Sequence, residues 1–477
     1  MSGILHVHYV SYYLYLEFKD ILTASHLNVK IREFIRKNAI PEVNFVNPQK
    51  GNALQNIFQK IRLTVTDNNR LRNNQLMLLP NIVSFDASRN SKIDYRGFIN
   101  LTNLTHLEIC GHIDPKVFQH CNNLKKLGMI DNDNIKGDNI THLENLEFLE
   151  TNKHIHDIHL MKFTNITSLR LCGNRSLITE IGFSYILNLT ALDVSYTKIT
   201  DNALSQLTKL QTLDMRACIN ITDKSLIVLT NLTSLHIDHN CGITDVSVVA
   251  LSKLVTLYLR GQGNLTDYIF DGLPDLRTLR LKEFSLPTDD INYPQFTDVG
   301  ISKLVNLTEL SLCNTELITN KSISCLTSLT NLQLQSEYIN NAGISSLINL
   351  VELNFKYEIT DDNIELPTKL TCLLLTSLDK LTRKSFEKLN NLQELCFFQF
   401  GELDTDIFKG IISLKTLHVY GDYCNVIGNG LQYLTNLTAF YPLHIDIKDN
   451  HLSHLTSLKI LSLPHNRNDV IFVNFIK

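Results

Sequence analysis

This sequence has none of the equipment of a small secreted or metal-stapled domain. Its ten cysteines are scattered through 477 residues with no CxxC pair, which excludes a disulfide-dense module and a zinc framework and leaves reduced structural thiols as the expectation. Excess positive charge is missing too. With 44 Lys and Arg against 48 Asp and Glu, the formal net charge is -4 and the pI is near 6.5, so no global basic field draws the chain to nucleic acid or an anionic membrane. No stretch is apolar enough to span a bilayer. The opening residues MSGILHVHYVSYYLYLEFKD lack the basic start, clean apolar run and small-residue cleavage site of a signal peptide. Together these absences predict an intracellular protein, cytoplasmic or nuclear, whose partner is another protein, with no nucleic acid and no membrane.

Catalytic signatures are equally scarce. There is no GxSxG elbow, HExxH or P-loop, and the cysteines have no evident histidine and carboxylate companions. Gly261-Gln-Gly263 lacks the third glycine and the strand and helix context of a nucleotide fingerprint, so it reads as a turn. The run HIHDIH places His154, His156 and His159 where they could offer nitrogens to zinc. However, Ile155-His-Asp157 falls in the repeat register described next, which makes His156 a substituted turn residue; the HVH at residues 6 to 8 is no better a ligand set. No enzyme activity, metal or cofactor is expected.

What the chain does have is an internal period. LTNLTSLHI, LTKLQTLDM, LSKLVTLYL and LVNLTELSL are variants of one phrase, and repetition at 20 to 50 residues is the mark of a solenoid. The first apolar residue of the phrase recurs at Ile82, Leu104, Leu124, Leu146, Ile166, Leu189, Leu210, Leu232, Leu254, Leu276, Leu307, Leu329, Leu350, Leu370, Leu392, Leu414, Leu437 and Leu458. Only the step from Leu276 to Leu307 is long. In Leu232-x-x-Leu235-x-Ile237 the alternating apolar residues point inward while Ser234, His236 and Asp238 point out, as on a short strand. A second phrase follows: Ile199-Thr-Asp201, Ile221-Thr-Asp223, Ile243-Thr-Asp245, Leu265-Thr-Asp267, Phe296-Thr-Asp298 and Ile359-Thr-Asp361. Its apolar residue enters the core, its Thr or Asp caps a helix, and Leu204 with Leu207, or Leu226 with Leu229, face the sheet from the other side. The sequons Asn103-Leu-Thr, Asn165-Ile-Thr, Asn231-Leu-Thr and Asn436-Leu-Thr recur at one turn, so the repeat accounts for them.

The expected fold is therefore α/β: a curved parallel sheet on the concave face and short helices or turns on the convex one. No unit buries its own leucines, so stability comes from stacking and both ends need a cover. Residues 81–477 form the solenoid of about 18 repeats, with an insertion at 284–296. Residues 41–80 are read as a linker and a degenerate cap repeat, from Leu54 to Leu79 with Val65-Thr-Asp67, and residues 470–477 close the other end. At about 4.8 Å per strand the inner surface runs on the order of 80 Å, which suits a protein ligand. These phrases resemble the leucine-rich-repeat family, in its cysteine-containing subtype: Cys218 stands at that subtype's cysteine position and Cys241 one place late. Asn174, Thr197, Gln262 and Thr315 take the position in other units.

Residues 1–40 have a different period. Ile21, Ala24, Leu27, Ile31 and Phe34, with Ile35, follow helical spacing; Asp20 is a candidate N-cap and Pro41 follows the end. One reading is a helical cap over the first repeats. Through Tyr15-Leu16, Lys19-Asp20-Ile21-Leu22, Ala24-Ser25, Leu27-Asn28, Lys30, Arg32 and Phe34, the segment also resembles an F-box, a helical module that docks on the Skp adaptor of cullin-RING ubiquitin ligases. That resemblance implies a substrate receptor in which Leu16, Ile21, Leu22, Leu27, Ile31 and Phe34 hold the adaptor, cullin lies beyond it, and the repeats bind the target. The alternative is an interaction scaffold or host-directed effector without ligase association. Partner contacts are expected at outward strand positions: a charged stretch of Asp193, Asp214, Arg216, His236, Asp238, Tyr258, Arg260, Arg280 and Lys282, and an aromatic patch of Cys396, Phe398, His418, Tyr420 and Tyr441.

Overall fold

In a computed structural model of the chain, the structure describes residues 42–44, 59–64, 71–88, 90–109, 111, 113–129, 132–171, 173, 176–239, 242–261, 264–282, 296–356, 366–376, 378, 381–398, 405–420, 430–443, 452–461 and 471–472. The six adaptor-binding positions, the phrases at 65–67 and 359–361, and all of the insertion except Phe296 lie outside them. Two compact units divide the chain, residues 1–231 and 232–477.

Every apolar phrase expected to carry a strand does so, for a simple reason. Ile82 opens its own strand, and every later phrase start is followed two positions on by a strand whose alternate side chains are apolar. The starts themselves are buried: Ile82, Leu104 and Leu210 in the first unit and Leu254, Leu329 and Leu437 in the second are 0% exposed. In the first unit the strands Ile82–Asp86, His106–Glu108, Lys126–Gly128, Phe148–Glu150, Ser168–Arg170, Ala191–Asp193 and Thr212–Asp214 pair in parallel, each with the next. Two earlier strands precede them. Ile61–Thr64 lies within the degenerate unit and pairs with Ile82–Asp86, and Glu42–Asn44, in the stretch read as linker, pairs with Ile61–Thr64.

In the second unit the parallel order runs Ser234–Asp238, Thr256–Arg260, Thr278–Lys282, Glu309–Cys313, Asn331–Gln335, Glu352–Phe355, Cys372–Leu375, Glu394–Phe398, Thr416–Tyr420, Ala439–Leu443 and Ile460–Leu461. The short strand Ile471–Phe472 then pairs antiparallel to Ile460–Leu461. This pairing departs from the parallel order of the repeats.

Behind most of the described strands the chain turns into one helical turn. Thr222 is extended at φ -127° and its hydroxyl accepts from the Lys224 amide; Thr179, Thr244, Thr266, Thr297, Thr319 and Thr382 do the same in their repeats. Threonine is thus the cap. The aspartate after it is the first helical residue and reaches the next repeat instead. Asp201 accepts from the Thr222 amide at 3.0 Å and the Thr222 hydroxyl at 2.6 Å, and Asp157 holds Thr179 at 2.7 and 2.6 Å. Asp245 to Thr266, Asp267 to Thr297 and Asp298 to Thr319 repeat this staple in the second unit. In some of these repeats the carboxylate also packs on a small third helical residue: Ser225 donates to Asp201, and a Cβ at Gly300 would collide with the Asp267 carboxylate.

Two further ladders tie repeat to repeat. The sequon asparagines Asn165 and Asn436 donate their amides to the carbonyls of Glu144 and Ile412, one turn back, so the repeat uses them structurally. At the cysteine position, Cys218 is fully buried and its thiol donates to the Val194 carbonyl at 3.0 Å. Asn90 and Asn132, likewise buried, donate to the carbonyls of Leu71 and Ile113. A small buried donor is the common requirement.

Candidate functional site

His156 occupies the cap position of its repeat, ahead of the helix Asp157–Leu160, with Ile155 fully buried beneath it. Its backbone amide donates to the His159 ring at 2.9 Å, so two of the three histidines are engaged in the turn. Among the described residues no cluster of three or more His, Cys, Asp or Glu is arranged to hold a metal. Gly261, in the stretch read as a turn, has left-handed backbone at φ +59°.

The charged positions differ in how free they are. In the first unit Asp214 accepts from the Ser195 hydroxyl at 2.7 Å and pairs with Arg216 at 2.9 Å. Arg170 joins Glu150 and Asp193, both at 3.1 Å. These side chains are committed to one another. In the second unit Asp238, read from sequence as a surface contact, is only 3% exposed. It is paired with His239 and lies 3.7 Å from Arg260. Its neighbours close over it, so Asp238 is not open to solvent as the sequence reading expected.

Arg280 and Lys282 behave otherwise. Both are exposed, and among the described residues neither has an ion-pair partner. The Arg280 guanidinium lies over the Tyr258 ring, 4.6 Å from its centroid, and His236 meets the same ring edge-on at 5.4 Å. A guanidinium laid on an aromatic face keeps its donors in one plane, ready for a carboxylate or phosphate.

Farther along the same sheet face is the aromatic patch. Register places Phe398 beside Tyr420, and Cys396 beside His418 and then Tyr441. Phe398 and Tyr420 stack at 4.9 Å and 23°; His418 and Tyr441 stack at 4.4 Å and 4°. These are two rows, joined where His418 lies parallel to Tyr420 at 6.4 Å. Burial holds the His418 pKa below its ordinary value, against the pull of Glu394, whose carboxylate is 3.5 Å away. Burial also pushes the Cys396 thiol up to about 11, so it is a packing group and no nucleophile. Phe398 is 38% exposed.

Between the two patches runs a shallow trough of about 270 Å³, lined by Arg280, Ser311, Gln333, Asn354 and Leu374 among others. Sequence reasoning named Arg280 and passed over the other four. They occupy the same outward positions, and only their unremarkable chemistry hid them.

Strand, turn and helical turn recurring in this order define a leucine-rich-repeat solenoid. No protein-family model matches the sequence, and no curated protein does. Solved structures do match. The mouse RP105/MD-1 complex aligns over 87% of this chain and 83% of that chain, at 15% identity and TM-score 0.53. The TLR13-ssRNA13 complex aligns over 86% of this chain, at 20% identity and TM-score 0.41; this chain spans 64% of that one. The Rad7 and Elc1 complex in yeast aligns over 74% of this chain and 92% of that chain, at 18% identity and TM-score 0.45. The likeness to RP105 is one of fold. No helix among the described residues is long and apolar enough to cross a membrane.

Proposed function

We propose that this protein is a binding receptor whose second unit holds an extended segment of another protein across the solvent face of its sheet. The observation that carries this is the pairing of a cationic anchor, Arg280 on Tyr258, with an aromatic anchor, Phe398 to Tyr441, and an open trough between them. Five strand steps separate Thr278–Lys282 from Glu394–Phe398, or about 24 Å at about 4.8 Å each. An extended segment covers that distance in about seven residues. The partner segment therefore carries an acidic residue at one end and an aromatic or large apolar residue about seven positions away.

The finer reading, that the receptor serves a cullin-RING ubiquitin ligase, is supported by the F-box-like order of residues 15–34 ahead of the repeats. On that reading the segment binds the Skp adaptor, and the transfer chemistry belongs to other subunits. The test is affinity capture from cells with and without residues 1–40, beside direct binding of purified full-length protein to the adaptor. Loss of adaptor and cullin, with retention of the repeat-bound partner, is the expected result of the truncation. Charged substitutions at Leu22 and Leu27 should abolish adaptor capture and leave the solenoid folded. An adaptor that never binds the intact chain would favour a scaffold or effector role without ligase association.

A further inference from the structure

The staple that joins successive repeats is interrupted in the first unit. Where Asp157 and Asp201 stand in the repeats on either side, the corresponding residue is Glu180, and the threonine it would hold is Thr200. Glu180 is exposed, as is Thr200. Thr200 keeps the extended backbone of its counterparts, φ -111° against -127° at Thr222, but its hydroxyl makes no cap bond. Among the described residues its amide and hydroxyl have no hydrogen-bond partner. Glu180, one methylene longer than aspartate, is exposed at the edge of an adjoining cleft and bonds neither donor.

A cleft of about 420 Å³ opens at this break. Apolar side chains line part of it, Leu177, Ile178 and Ile181 on one repeat and Ile199 and Ala203 on the next, beside Thr179, Glu180 and Thr200. Leu177 and Ile181 are 55% and 58% exposed, and both line the cleft. Lys198 lies on the rim, exposed.

We propose that this cleft is a second binding site, independent of the second unit's sheet face, and that it takes a segment of a partner protein in which an aspartate is flanked by leucine-like side chains. The aspartate carboxylate accepts from the Thr200 amide and hydroxyl, the arrangement that aspartates of this chain make with Thr179, Thr222, Thr266, Thr297 and Thr319 at 2.6 to 3.0 Å. The flanking apolar side chains enter the cleft beside Leu177 and Ile181. Lys198 and the two Thr200 donors favour an anion over its amide isostere, against the charge of Glu180 on the same cleft. The molecule's own repeats thus define the chemistry of the occupant.

The probe is the tripeptide Leu-Asp-Leu, acetylated and amidated, titrated into the intact 15N-labelled protein, with Leu-Asn-Leu and free acetate as controls. Saturable movement of the Thr200 amide resonance is expected with Leu-Asp-Leu, and about tenfold weaker binding with Leu-Asn-Leu, since one charge-assisted hydrogen bond is exchanged for a neutral one. Glu180→Asp should restore the internal staple, raise the unfolding midpoint and remove peptide binding. Thr200→Val should remove binding without lowering that midpoint, since the lost hydroxyl holds nothing in the fold. Equal binding of the two peptides, no binding of Leu-Asp-Leu, acetate matching the peptide, or undiminished binding by Glu180→Asp would each overturn the proposal.

Discussion

Replacing Asp201 by Asn tests whether the aspartate staple is a source of stability or only a consequence of stacking. In the wild type this carboxylate accepts from the Thr222 amide, the Thr222 hydroxyl and the Ser225 hydroxyl. Asparagine keeps the shape and the amide contact, but its NH2 cannot accept from a hydroxyl. Hydrogen bonds to a charged group contribute about 1.5–3 kcal/mol each when sheltered. Asp201 is half-buried, so a total loss of about 1–2 kcal/mol is expected at neutral pH. Burial raises the Asp201 pKa, but the bonds from Ser225 and Thr222 outweigh it and hold the group below its usual value. For a carboxylate depressed in the folded state, the stabilisation is present above the unfolded pKa of about 3.9 and is lost as pH falls through the folded value. Urea unfolding of the two proteins should therefore differ at pH 7 and draw together as the pH is lowered below about 3.9. The chain also holds an alternative staple: Asn320 accepts from the Asn340 amide at 2.9 Å and donates to its side-chain oxygen at 2.9 Å. Adding Thr222→Asn to the Asp201→Asn variant should thus recover part of the loss. Identical curves for wild type and single variant across this pH range would refute the reasoning.

Other perturbations address separate features. Leu235 is fully buried, and Leu235→Ala should cost about 2–5 kcal/mol by leaving a cavity, seen as a lower urea midpoint. Gly261→Ala should cost about 1–2 kcal/mol, because φ at this residue is +59° and a Cβ is strained there; a neutral result would show that the turn relaxes. His418 has a depressed pKa from burial, so its neutral form is favoured in the fold. Stability linked to it should be present above about pH 6.5 and fall as pH drops through the depressed value, and His418→Phe should flatten that dependence.

The strands were legible because burial imposes a period of two that leucine reports directly, and stacking imposes a repeat of that pattern. The helical turns were legible through their threonine caps. What a linear reading could not show is any bond whose partner lies one repeat away. Asp201 sits one residue past the cap, and nothing local says that it serves Thr222 rather than its own helix. The left-handed backbone at Tyr196, Ala217, His239 and Asn314 was hidden for the same reason, since among the described residues only the glycines at 173 and 261 advertise the turn. Exposure posed a different difficulty. Alternation gives direction, and Asp238 does point away from the leucines, but whether an outward side chain stays open depends on its cross-strand neighbours. His239 and Arg260 close over Asp238, while Arg280 is left accessible on its tyrosine.

The two anchors of the sheet face make different demands on a partner, and that difference is measurable. Phe398, Tyr420 and Tyr441 are linked through ring stacking, so a partner side chain docking there displaces water from a preformed apolar surface. Truncating each to Ala should weaken binding of the captured partner by roughly 1–3 kcal/mol, mainly through faster dissociation, with little change in the unfolding midpoint. Arg280 and Lys282 stand in solvent, where charge acts over about 8 Å at physiological salt. Their replacement by Gln should slow association at low salt and matter less at high salt. Measured at two ionic strengths, the rates separate these roles. Equal and salt-sensitive losses in both regions would mean that the rings do not anchor the partner. Silence in both would move the principal site off this face, to the helical side, the edges or the insertion at 284–296.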